Sequence, residues 1–277
     1  VNNFTKRTIT GVLFVICVIG SGVISQWVFT GLFLLVAIGG MIEFSRIVNK
    51  SGAKVHLLST IVTGSLAYGL IGLVLLGSLP VWTLLLLLLL IPLLLITELY
   101  RESDHPFVNV AVSLMGIFWI MVPLALLSGF FNQSEGPAWL HGGALLGFFL
   151  ILWIYDSGAY IVGSLLGKHP MFPRISPKKS WEGFAGGAVA GMLTAYMISA
   201  SFIEFKLWEW SVIAIIIIVF GTFGDLTESM LKRSAGVKDS GNLLPGHGGI
   251  LDRFDAVLLA APAVFIVISL LRQIAAQ

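Results

Sequence analysis

The sequence predicts an all-α polytopic membrane protein of about nine transmembrane helices. Three observations predict it. Hydrophobic residues make up 57% of the 277, and mean hydropathy is +0.98, outside the range of soluble domains. Those residues gather in runs long enough to cross a bilayer core as helices, which takes about 20 residues each. Charged residues are only 11% of the chain, and the basic ones fall almost entirely on one side of the alternating topology that the runs imply.

The first run, Ile9–Ser25, follows Lys6 and Arg7 as a signal peptide would. No A-x-A-like site follows it, which makes it a retained helix. Val28–Val48 and Leu57–Leu76 are uninterrupted. Val81–Ile96 is short and carries Pro92, so a kink or tilt is expected. Val108–Leu127 and Gly143–Leu166 follow. The seventh run, Gly183–Phe202, starts after Ser180, a natural N-cap with Gly183 at N3. Gly183, Gly187 and Gly191 repeat every four residues. That stripe permits close helix contact, either within the monomer or at a homodimer seam. Trp210–Leu226 and Ala256–Leu271 complete the nine. Trp27, Trp82, Trp139, Trp208 and Trp210 sit near run ends and fit interfacial anchors.

With the N-terminus in the cytoplasm, 14 of the 16 Lys and Arg residues lie inside and only Lys206 and Arg272 outside. The positive-inside rule therefore predicts N-terminus in and C-terminus out. Both polar loops, Gly167–Glu182 and Glu228–Asp255, then face the cytoplasm. The chain reads as one integral membrane domain, with N-terminal helices over 1–140 and the functional helices and loops over 141–277. A single cysteine, Cys17, excludes an internal disulfide and a cysteine metal cluster. No long-period repeat is visible, which weakens a transporter built from inverted halves.

Charge is concentrated where function is expected. Asp225, Glu228, Lys232, Arg233, Lys238, Asp239, Asp252, Arg253 and Asp255 fall in or just before the window Ser229–Asp255. Ionisable groups within an apolar chain mark a site by default. Asp225 closes the eighth run, while Asp252 and Asp255, three apart, open the ninth. Carboxylates brought together repel unless a cation neutralises them, and Mg²⁺ suits a few carboxylates plus water and phosphate. Salt bridges to Arg253, Arg233 and Lys232 are the alternative. Lys232, Arg233 and Lys238 can hold phosphate or anchor on anionic lipid. Pro245-Gly-His-Gly-Gly249 cannot be regular helix, and its N–H groups ahead of a helix can cradle an anion. His247 can donate to a phosphate or make a local contact. Lys178 and Lys179 precede a helix start, which also favours phosphate. Asp156, inside the sixth run, should face a polar cavity. Glu43, Glu98 and Glu228 read as surface or packing groups. No H-E-x-x-H, G-x-S-x-G or Walker A pattern occurs in the chain.

The run S-x2-K-R-x4-K-D-x-G-x2-L-P-x-H-G-G-x2-D-R-x-D, Ser229 to Asp255, resembles the signature of CDP-diacylglycerol synthases (phosphatidate cytidylyltransferases). Ser176-Pro-Lys-Lys-Ser-Trp-Glu-Gly183 resembles a second family motif, with Ser180 where Thr is usual. Asp156-Ser-Gly-Ala-Tyr160 resembles a third. The resemblance implies transfer of the cytidylyl group of CTP to phosphatidate, giving CDP-diacylglycerol and pyrophosphate, with one or two Mg²⁺ ions. It implies a bacterial cytoplasmic membrane, a site facing the cytoplasm, and no nucleic acid polymer as partner. Asp225, Asp252 and Asp255 would hold metal, and with Lys232, Arg233 and Lys238 form the catalytic set. Lys178, Lys179, Ser180, Asp239, His247, Gly248, Gly249 and Arg253 would join those basic residues in binding substrate, with Asp239 orienting a lysine or a metal water. Asp156 would support the site or bind a second cation. Two rivals remain: a CTP-dependent kinase of a polyprenol-type lipid alcohol, and a cation transporter.

Overall fold

A computed structural model describes residues 3–131, 143–202, 204–237, 240–241 and 248–275, with side chains from residue 11 onward. Among the described residues ten α-helices run in order: α1 (Asn3–Ile24), α2 (Gln26–Lys50), α3 (Leu57–Leu75), α4 (Leu90–Arg101), α5 (Pro106–Gly116), α6 (Val122–Leu126), α7 (Gly143–Leu166), α8 (Trp181–Ser199), α9 (Leu207–Ser234) and α10 (Leu251–Ala275). Helices α5 and α6 are continuous through a π turn at Ile117–Met121. Pro123 lies just beyond it; it lacks the N–H that a regular ladder would use there. The nine expected runs therefore each appear as a helical rod among the described residues. Seven are long and apolar enough to span a membrane. In α1 the described apolar stretch, Gly11–Ile24, is shorter. Helix α8 is outside the seven because four glycines and Glu182 dilute its hydropathy.

The fourth run is longer than expected. It extends over Val81–Arg101, with a tighter 3-10 stretch at Val81–Leu89 ahead of α4. Pro92 falls in the first turn of α4, where its missing N–H is not needed. A second departure is a two-stranded antiparallel hairpin, β1 (Pro170–Phe172) and β2 (Ser176–Ser180), in what read as plain loop.

The chain forms two compact units. Unit 1 comprises Val1–Gly129 and Leu231–Phe254. Its core is aromatic: Phe29 stacks on Phe33 at 4.1 Å, and Phe33 meets Phe254 edge-on at 5.5 Å. Gly116 lets Phe44 and Met41 close in where a Cβ would collide. Buried Glu98 takes hydrogen bonds from Arg101, Ser103 and Asn109.

Unit 2 comprises Phe130–Met230 and Asp255–Gln277. Its spine is the contact between α7 and α8. A Cβ on Gly187 would come within 2.8 Å of Ala159 and the Tyr155 ring, and one on Gly183 within 2.9 Å of the Ala159 carbonyl. The glycine stripe thus packs inside the chain. Gly187→Leu is expected to destabilise the fold by about 3 kcal/mol, since extra atoms here meet packed side chains and backbone. Thermal unfolding in detergent checks this; a change of oligomeric state at unchanged Tm would instead make the stripe a dimer seam. Trp210 is fully buried against Phe205, with Gly147 close to its ring. It is a core residue rather than an interfacial anchor, whereas Trp27, Trp82 and Trp208 are exposed as anchors should be. Trp139 lies outside the described residues.

Candidate active site

In unit 2 the hairpin delivers a lysine to an aspartate. Ser180 ends β2 and caps α8, accepting a hydrogen bond from the Gly183 N–H at 3.1 Å as expected. Glu182, one residue into α8, folds back onto the hairpin. Its carboxylate accepts the N–H groups of Lys168 (3.1 Å) and His169 (3.2 Å) and pairs with the His169 ring at 2.5 Å. The contact with the His169 ring, followed by these backbone N–H bonds, lowers the Glu182 pKa from 4.5 to about 2. A depressed carboxylate stabilises fully above its unfolded pKa and loses that contribution as pH falls through the folded one. Amide protection of Lys168 and His169 should therefore hold above about pH 5 and fail towards pH 2, and Glu182→Gln should weaken it at neutral pH.

So anchored, the hairpin places the Lys179 ammonium 2.5 Å from Asp225 on α9. Ser229 donates to the other Asp225 oxygen at 3.4 Å. Asp255 on α10 lies near enough to feel the charges of Asp225, Glu228 and Asp156. Gly224 makes that approach possible, because a Cβ there would strike the Asp255 backbone. Asp156 feels Asp225 and Lys179. Beside it the Tyr155 hydroxyl hydrogen-bonds Thr222 of α9. Asp156, Tyr155, Thr222, Lys179 and Asp225 border a cavity of about 670 Å³, with Lys168, Lys178 and Ser180 also on its wall among Ala159, Tyr160, Met171 and Phe184. Polar groups at one place in an otherwise apolar wall are the usual pattern of a ligand site.

Unit 1 holds a second charged cluster. Lys232 on α9 lies 2.6 Å from Asp252 on α10, and both are largely buried. The second Asp252 oxygen accepts from the Ser240 hydroxyl (2.8 Å), the Ser240 N–H (3.2 Å) and the Gly249 N–H (2.9 Å). Gly248 adopts φ +82°, and a Cβ on it would sit 2.8 Å from Asp252; only glycine serves there. Buried Glu43 of α2 accepts from the Ser240 hydroxyl (3.1 Å) and the Leu251 N–H (3.0 Å).

Of the three aspartates expected to share a metal, two lie in unit 2 and one in unit 1. Asp225 stands with Asp255 and Asp156, while Asp252 is engaged by Lys232, Ser240 and Gly249. Among the described residues no three His, Cys, Asp or Glu side chains form a ready metal cage. Donor chemistry is another matter: Asp156, Asp225 and Asp255 are hard oxygen donors with Lys179 paired to one of them, which suits a cation completed by water and phosphate. The Gly249 N–H, expected to cradle an anion, is donated to Asp252. Arg233 and Arg253 are exposed, and Arg233 reaches the Val237 carbonyl at 3.4 Å. Lys238, Asp239 and His247 lie outside the described residues. Of the two readings for Glu43, Glu98 and Glu228, surface or packing, their burial excludes the surface one. Glu43 was findable, because an acid within a long apolar run is itself a functional signal.

The profile of the cytidylyltransferase family matches residues 5–271, nearly the whole chain. The chain belongs to the cytidylyltransferase family. It is 52% identical over 117 residues to a phosphatidate cytidylyltransferase of Mycobacterium bovis, covering 42% of this chain and 38% of that protein. It is 48% identical over 122 residues to one of Staphylococcus saprophyticus, covering 43% and 46%, and 50% identical over 117 residues to one of Mycobacterium leprae, covering 42% and 37%. The matched stretch spans less than half the length of each of these relatives.

Proposed function

We propose that this chain transfers the cytidylyl group of CTP to phosphatidate, forming CDP-diacylglycerol and pyrophosphate at the cytoplasmic face of a membrane. The observation that carries the proposal is the 670 Å³ cavity where Lys179 meets Asp225, with Lys168, Lys178 and Asp156 on its wall. Family membership and the names of the relatives support the choice of substrates. The excess of Lys and Arg on one side of the alternating helices supports the cytoplasmic placement.

A phosphatidate oxygen attacks the α-phosphorus of CTP. A new P–O bond forms as the bond to the bridging oxygen breaks, and pyrophosphate leaves with that electron pair. The attacking oxygen is already anionic near neutral pH, so these residues need not supply a strong base. Their work is positioning and charge. Lys179, with Lys178 and Lys168, would hold phosphate oxygens and lower the repulsion between the two anions. Ser180 fixes Lys179 by capping α8, and Glu182 fixes the hairpin. In unit 1, Lys232 is a further cation, oriented by Asp252. Mg²⁺, when bound, would neutralise phosphate charge; Asp156, Asp225 and Asp255 are the donors that would hold it.

Product identity tests the proposal. Purified chain in mixed micelles, given CTP, phosphatidate and Mg²⁺, should release pyrophosphate in step with a CDP-lipid found by mass spectrometry. CDP release, with a phosphorylated lipid alcohol formed when an alcohol is supplied, would replace it with the kinase.

A further inference from the structure

We infer that Glu43, on α2 in the N-terminal half, is a positioning residue for the segment that carries Asp252. It is fully buried, yet it reaches across 197 residues of sequence to the Ser240 hydroxyl and binds the Leu251 N–H that opens α10. Ser240 has one hydroxyl proton and two carboxylates in range, Glu43 at 3.1 Å and Asp252 at 2.8 Å. It therefore couples the two acids. Ser240, Gly241 and Gly249 close around this side chain. A Cβ on Gly241 would lie 2.5 Å from the Glu43 Oε1 and 2.8 Å from its Cδ, and one on Gly249 would overlap both Glu43 and Ser240. Two glycines of the segment thus leave the volume that Glu43 fills. The Oε1 atom itself has no hydrogen-bond partner among the described residues. A buried carboxylate is expensive to hold, and a residue serving only packing would do better as leucine. By fixing Ser240 and Leu251, Glu43 sets the Asp252 carboxylate and, through it, the Lys232 ammonium.

The kinetic arm of the test rests on the nucleotidyl-transfer proposal; a hydrogen-exchange arm does not. In full-length protein, Glu43→Ala should lower kcat at least about tenfold with KM for CTP within about twofold, the signature of a misplaced group rather than lost substrate binding. Glu43→Gln keeps an acceptor for Leu251 and Ser240, and should retain more than about a third of wild-type kcat. Gly241→Ala should be impaired and should recover when Glu43→Asp shortens the opposing side chain, a coupling readable as a double-mutant cycle. That pair keeps the test decisive if Glu43→Ala does not fold. Independently of turnover, exchange protection of the Leu251 amide should fall in Glu43→Ala and persist in Glu43→Gln. Wild-type kcat and protection in Glu43→Ala, a glutamine variant as impaired as the alanine one, or no recovery of Gly241→Ala would each overturn the inference. An inactive wild type with normal protection, lost in Glu43→Ala, would remove the proposed reaction and leave the anchor standing.

Discussion

Lys179→Met is expected to lower kcat/KM for CTP by at least about a hundredfold, the loss typical of removing one oriented charge at a phosphate-handling centre. The ammonium sits 2.5 Å from Asp225, and Asp225 in turn acts on Asp156 and Asp255. In the proposed reaction, loss of Lys179 would leave those carboxylates facing an incoming polyphosphate with one fewer counter-charge, and the phosphate would lose a direct partner. The pair is about a third exposed, so solvent screens part of its contribution to stability; the expected loss is therefore in turnover more than in folding. Lys179→Arg keeps the charge but changes its geometry, and should fall between the two. Initial rates against CTP concentration check this, with thermal unfolding as control. A methionine variant within about tenfold of wild type would take Lys179 out of the site.

Asp252→Asn should damage both stability and activity. Asp252 and Lys232 keep only 16% and 12% of their side-chain surface exposed, so screening is small. Removing one partner of such a pair typically costs about 3–5 kcal/mol, because the other charge stays buried and uncompensated. Three further hydrogen bonds from Ser240 and Gly249 end on the same carboxylate. The expected result is a lower Tm together with a fall in kcat of at least about a hundredfold. Lys232→Met alone should be similarly unstable, and the double variant Lys232→Met/Asp252→Asn less unstable than the two effects added. A coupling of at least about 1 kcal/mol in that cycle identifies the pair; strict additivity would show that the two residues act separately.

The helices were legible because a bilayer-length apolar run is a local signal. So was the Ser180 cap, which needs only four consecutive residues. The hairpin was not, because strands of three and five residues with Pro and Lys are too short to show alternation. The Lys179–Asp225 pair joins residues 46 apart, and no local pattern specifies which of several aspartates a lysine will meet. Asp252 and Asp255 look equivalent in the motif, yet Asp252 answers to Lys232 and the Gly248–Gly249 turn while Asp255 answers to Asp225. Glu43 reads only as a surface or packing group because hydropathy averages over a window and hides a single acid; its partners Ser240 and Leu251 lie some two hundred residues away in sequence. Trp210 was read as an anchor from its place near a helix start, where Gly147 in fact makes room for it in the core.

The proposed reaction moves a nucleotidyl group from CTP onto an anionic lipid. The most direct measurement uses CTP labelled on the α-phosphorus, phosphatidate micelles and Mg²⁺, with wild type beside Asp225→Asn. Label should enter the lipid phase with wild type, stop on chelation of the metal, and fall to background in the variant. Label remaining wholly in the aqueous phase with folded wild-type protein would contradict nucleotidyl transfer to the lipid.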